Sequence, residues 1–147
     1  MSQILKFMGE HDDFLELKVI GYAHPDSLDY WDGNWITVLG TLQMGVFHAD
    51  VSGDIRVEEF VEFHKELLTL YDTLQGEVTF KTLERWLEIT IEVNKTGQIS
   101  MSGFVKNGVF GVNRLNFEMD TDQTFLTEPI NRLEQILEMY PIKGKRE

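Results

Sequence analysis

Residues 86–105 constrain the fold more tightly than any other stretch. Trp86, Glu88, Thr90 and Glu92 alternate with Leu87, Ile89, Ile91 and Val93, the period of a strand with one dry face and one wet face. Asn94-Lys95-Thr96-Gly97 then supplies turn chemistry, and residues 98–105 return as the hairpin partner. Lys106-Asn107-Gly108 is a second turn, since asparagine and glycine take φ > 0 readily. Residues 114–119, RLNFEM, form the next alternating run.

Hairpins joined this way make an antiparallel sheet. Earlier in the chain, residues 14–22 place Leu15, Leu17 and Val19 against Glu16, Lys18 and Ile20, and His24-Pro25 ends the run. Residues 35–43 and 46–51, divided at Gly45, read as two more strands, and 77–81 as a short extended run. Two helices complete the pattern. The first is expected to start at Asp54 as N-cap and to stop at Gly76, with Val57, Phe60, Val61, His64, Leu67, Leu68, Tyr71 and Leu74 as its apolar stripe. The second is expected to follow Thr127 with Pro129 in its first turn, and to carry Leu126, Ile130, Leu133, Leu137 and Tyr140 before Pro141 stops it. Strands and helices are segregated, so the expectation is a single α+β domain over 1–147. It has a predominantly antiparallel sheet of about six to eight strands, two amphipathic helices and a mobile tail at 143–147.

Composition excludes several functions. The 147 residues hold no cysteine, which removes disulfide scaffolds, thiolate zinc sites and cysteine nucleophiles and makes a reducing, cytoplasmic setting the expectation. Neither a signal-peptide run nor a membrane-length apolar stretch is present. The formal charge is −12, which opposes nucleic acid and anionic lipid as partners and favours a basic one. Residues 1–64 hold 12 acidic and three basic side chains, net −9. This suggests an acidic face.

Catalytic motifs are scarce. There is no nucleophile elbow, P-loop or dinucleotide fingerprint, so no cofactor is expected. His48 and Asp50 share a strand face, and His11-Asp12-Asp13 and His24 with Asp26 are loop clusters, but no spacing is diagnostic of a metal. Asp50 to Asp54 fails as a calcium loop, because position 6 is Ile55 and position 12 is Val61. His64 reads as a satisfied core or boundary histidine. The most unusual segment is Asp29-Tyr30-Trp31-Asp32-Gly33-Asn34-Trp35. It has the composition of an aromatic anchor in an acidic rim, and equally of a loop packing on the core.

The pattern resembles the WapI-like immunity proteins of bacterial polymorphic toxin systems. The residues that carry the resemblance are Gly21-Tyr22 with 29–35, then Phe60, Phe63, Leu67, Leu70-Tyr71, Leu74 and Gly76. Phe80, Thr82-Leu83-Glu84, Leu87-Glu88-Ile89, Asn94 with Gly97, and Asp122-Gln123-Thr124 continue it. The resemblance implies a non-catalytic protein that binds and neutralises the toxin domain of a cognate effector. Many such domains act on nucleic acid and are basic. Charge and loop chemistry then nominate Asp12, Asp13, Asp26, Asp29 and Asp32 as steering charges and Tyr30 and Trp31 as anchors.

Two alternatives stay open at this point. One is a small-molecule or metal-dependent enzyme built on His24, His48 and nearby aspartates; the other is an interaction domain in an unrelated complex. The weakly charged run at 101–105 further suggests a free sheet edge that would pair into a homodimer.

Overall fold

The computed structural model describes residues 3–146. Two four-stranded antiparallel meanders, each followed by a helix, make up the chain. The first sheet has the order β1 (Gln3–Met8), β2 (Phe14–Tyr22), β3 (Trp35–Met44), β4 (Phe47–Arg56), and leads into α2 (Val57–Thr73). The second has β5 (Gly76–Lys81), β6 (Leu87–Val93), β7 (Ile99–Lys106), β8 (Arg114–Thr121), and leads into α3 (Thr127–Met139). A third helix, α1 (Tyr30–Gly33), is a single turn in the β2–β3 connection. The α+β class and the antiparallel pairing agree with the sequence; the structure adds α1, adds β1, and divides the strands between two sheets.

Alternation decides which faces are dry. Leu15, Leu17 and Val19 of β2 are fully buried, as are Leu87, Ile89 and Ile91 of β6. One apolar cluster joins both sheets to α2 and α3. The helices exchange places: α2 follows the first sheet yet stacks Phe63 on Phe80 of β5, with ring centroids 4.5 Å apart. Helix α3 follows the second sheet yet packs on β1, where Arg132 Nη1 donates to Gln3 Oε1 at 3.2 Å. The architecture thus repeats where no sequence repeat is visible. The end of β8 touches the end of β1, its Thr121 hydroxyl donating to the Met8 carbonyl at 2.9 Å.

Six local expectations need correction. Helix α2 starts after Arg56, not at Asp54, because Asp54 is still paired with Thr37 and its carboxylate accepts the Thr37 hydroxyl at 3.0 Å. Glu59 does the capping instead, accepting the Arg56 N–H at 2.9 Å. The helix ends with Leu74 in the left-handed region, and Gly76 opens β5. Its buried side is Val57, Phe60, Phe63, Leu67 and Leu70, while Leu68 and Tyr71 are exposed. Both stripes satisfy helical spacing, and packing on β5 selects between them.

Trp86 was expected on the wet face of its strand. It lies just before β6 and is fully buried against the first sheet, with Nε1 donating to the Asp54 carbonyl at 3.1 Å. The free edge expected at 101–105 does not exist, because β7 pairs with β6 on one side and β8 on the other. Lys143, within the segment expected to be mobile, is hydrogen-bonded to the buried Asn34: its N–H donates to Oδ1 at 2.8 Å and its carbonyl accepts from Nδ2 at 2.9 Å.

Candidate functional site: the aromatic turn and the hairpin tips

The segment 29–35 folds as it does because Asp29 caps it. One carboxylate oxygen accepts the N–H groups of Trp31 (2.9 Å) and Asp32 (3.1 Å), which winds Tyr30–Gly33 into one helical turn. That turn points the carbonyls of Trp31 and Tyr30 at Arg56, the last residue of β4. Arg56 is almost wholly buried, and Nη1 and Nη2 donate to the two carbonyls at 2.7 and 3.0 Å. Nε donates to Glu58, which also accepts the Tyr30 hydroxyl. The rings of Tyr30, Trp31 and Trp35 surround the guanidinium, with centroids 5.4, 5.1 and 5.0 Å from Cζ. The sequence reading saw the aromatics and the acids but missed the arginine 21 positions beyond Trp35 that organises them.

Electrostatics follow from this geometry. Partial burial pushes the Glu58 carboxyl up, but the bonds from Arg56 and Tyr30 outweigh it and hold it below the ordinary glutamate range. The bond to Glu58 raises the Tyr30 phenol. Burial raises Glu59, although its carboxylate accepts the N–H groups of Arg56 and Leu83. A depressed carboxyl contributes stability that is present above the unfolded value, about 4.3, and is lost as pH falls through the folded value. The stability difference between the wild type and Glu58→Gln should therefore be largest near neutral pH and shrink below pH about 4. Chemical denaturation at a series of pH values measures it; a difference independent of pH would contradict the assignment.

The nominated contact residues do not form one surface. Asp26, Asp29, Tyr30, Trp31 and Asp32 lie in the β2–β3 connection, whereas Asp12 and Asp13 lie at the other end of β2, roughly 25 Å away along the strand. The Debye length is about 8 Å at physiological salt, so the two groups act separately. Basic residues of the C-terminal segment also reach the aromatic turn. Lys145 lines a cleft of about 260 Å³ with Leu28 and Trp31, and Arg146 stands 5.7 Å from the Trp31 ring. Asp29 and Tyr30 are committed to the fold, while Trp31, Asp26 and Asp32 remain exposed.

His24 and His48 are separated in the same way. His24 follows the end of β2 beside Trp35, and His48 pairs with Gln43 at the far end of β3. The enzyme site that needed them to converge does not form. His48 instead bonds to Asp50 and Gln43, each at 3.0 Å. Among the described residues no group of three or more His, Asp or Glu is placed to hold a metal ion. His64, half-buried between helices, meets Glu134 of α3 at 3.3 Å, as a boundary histidine should.

Sequence reasoning missed a second surface entirely. Gly45-Val46 is the two-residue turn between β3 and β4, with positive φ at Gly45 alone, and it lifts Val46 into solvent. Val46, Phe110 and Val112 are 92, 96 and 91% exposed, and Phe47 is 61% exposed. Phe47, Val51, Val105 and Leu115 line a groove of about 380 Å³ between β4 and the β7–β8 hairpin, together with Asn107 and Asn113 at the base of the loop that carries Phe110 and Val112. Apolar side chains at hairpin tips, where polar ones are usual, were the available signal. A larger groove of about 630 Å³ between α2 and β5 has mostly polar walls, among them Glu62, Lys65, Glu66 and Glu77.

No helix among the described residues is long and apolar enough to cross a membrane. A comparison with curated proteins gives no match. The family model described as the immunity protein WapI-like family matches residues 6–141, and the chain belongs to that family.

Proposed function

We propose that this protein is a non-catalytic, cytoplasmic immunity protein that binds the basic toxin domain of a cognate effector and blocks its active surface. The family match over 6–141 carries the reading. The charge of −12 supports it, because an acidic inhibitor steers a basic toxin, a nuclease for example, into encounter. Among the nominated residues, Asp12, Asp13, Asp26 and Asp32 serve as steering charges in two separate groups. Asp29 and Tyr30 hold the turn around Arg56, and Trp31 covers the guanidinium while staying half exposed to solvent.

The test is a direct binding measurement. The protein and the C-terminal domain of the effector encoded by the adjacent gene should co-elute as a stable complex, with an association rate that falls as salt is raised. Separate elution of the two at micromolar concentration would contradict the proposal.

A further inference from the structure

We infer that the toxin domain docks on the hairpin tips, with Val46, Phe47, Phe110 and Val112 inserting into an apolar depression on the toxin that is bordered by basic side chains. The inference rests on the immunity reading and specifies its contact surface.

Three observations support it. Side chains this exposed contribute little to the core, and several large apolar side chains standing in solvent on two hairpin tips mark a contact site. The two tips act together, because Phe47 and the base of the 107–113 loop line one groove between β4 and the second sheet. The surroundings are acidic on the side of the first sheet. Asp13 Oδ1 accepts the Gly45 N–H at 2.9 Å and so stands against the turn that carries Val46. Asp12 adjoins it in the chain, and Asp50 is exposed two residues beyond His48 on β4. Hydrogen bonds from His48 and Thr41 hold the Asp50 carboxyl below its usual range, so it stays charged. On the side of the second sheet Arg114 lines the groove and Lys106 Nζ donates to the Val109 carbonyl at 3.0 Å. The acids thus border the apolar anchors on the first-sheet side, and that side fits a depression with basic side chains facing it. This is the composition expected of 29–35, displaced to the other end of the sheet and joined there by Asp12 and Asp13.

The experiment measures binding of the full-length protein to the purified C-terminal domain of the adjacent effector. The double variant Phe47→Ala with Phe110→Ala should lose about thirtyfold or more in affinity, mostly through faster dissociation, with an unfolding temperature like that of the wild type. Asp12→Asn with Asp50→Asn should slow association severalfold at low salt and leave dissociation nearly unchanged. Trp31→Ala should bind as the wild type does. Undiminished binding by the tip variant, or loss confined to Trp31→Ala, would overturn the docking surface while leaving the immunity reading intact. A wild-type dimer that dissociates in the tip variant would assign the tips to a second copy of this chain and also overturn it. Failure of the wild type to bind would remove the immunity reading itself.

Discussion

Replacing Arg56 by alanine is expected to destabilise the protein by about 3 kcal/mol, a fall in unfolding temperature of about 6–12 °C for a chain of this size. The guanidinium is almost wholly buried and donates to two carbonyls and Glu58 while three aromatic rings enclose it. Removing it takes the charged donor from Glu58, which keeps only the Tyr30 hydroxyl, and the guanidinium's bond from the Trp31 carbonyl, while the Tyr30 carbonyl keeps Asn34 Nδ2. Such a loss costs more than the pair itself contributes. Arg56→Lys should restore little, because an ammonium has no planar fork to reach two carbonyls and a carboxylate together. Thermal unfolding followed by tryptophan fluorescence reads this directly, since Trp31 and Trp35 lie against the guanidinium. A loss under 1 kcal/mol, typical of an exposed ion pair, would show that the hub is decorative.

Trp86→Ala should cost about 4 kcal/mol. The indole is fully buried, although it belongs to the second sheet and rests on the first. A glycine makes room for it: a Cβ at Gly53 would collide with the pyrrole side of the ring. Its Nε1 also ties the sheets together through the Asp54 carbonyl. Truncation leaves a cavity between two rigid sheets that collapse poorly onto it, which places the cost near the upper part of the range for large-to-small changes. Gly53→Ala should destabilise for the opposite reason, by about 1–3 kcal/mol, as the ring is driven off its bond. Urea denaturation of both variants measures these values. If Gly53→Ala unfolds with the wild-type midpoint, the indole does not pack where the structure places it.

The sequence made the strands legible because alternation and turn chemistry are local. Leu15, Leu17 and Val19, or Ile89 and Ile91, announce a dry face without reference to anything distant. The partition into two sheets is not local. It depends on α2 crossing to β5 and α3 returning to β1, and no residue pattern along the chain encodes which sheet a helix covers. Trp86 escapes for the same reason, since the alternation in sequence begins at Trp86, one residue before the strand itself starts at Leu87. The α2 stripe had two solutions at helical spacing, and Phe63 meeting Phe80 decided between them.

The candidate site was legible as chemistry and not as place. Aromatic anchors among aspartates are read from 29–35, where Arg56 gathers the rings around its guanidinium and leaves Trp31 half exposed. Apolar side chains stand exposed at the hairpin tips, signalled only by Val46 in the turn before Phe47 and by Phe110-Gly-Val112 in the loop between β7 and β8. Asp12 and Asp13 read as acids in a loop, but their place beside the Gly45 turn depends on the pairing of β2 with β3 and is not visible along the chain.

Neutralisation of the toxin domain is read out by growth under co-expression. Cells expressing the C-terminal domain of the adjacent effector should stop growing, and co-expression of this protein should restore growth, with Phe47→Ala/Phe110→Ala failing to do so at equal abundance. Growth arrest that persists with abundant wild-type protein would contradict the account.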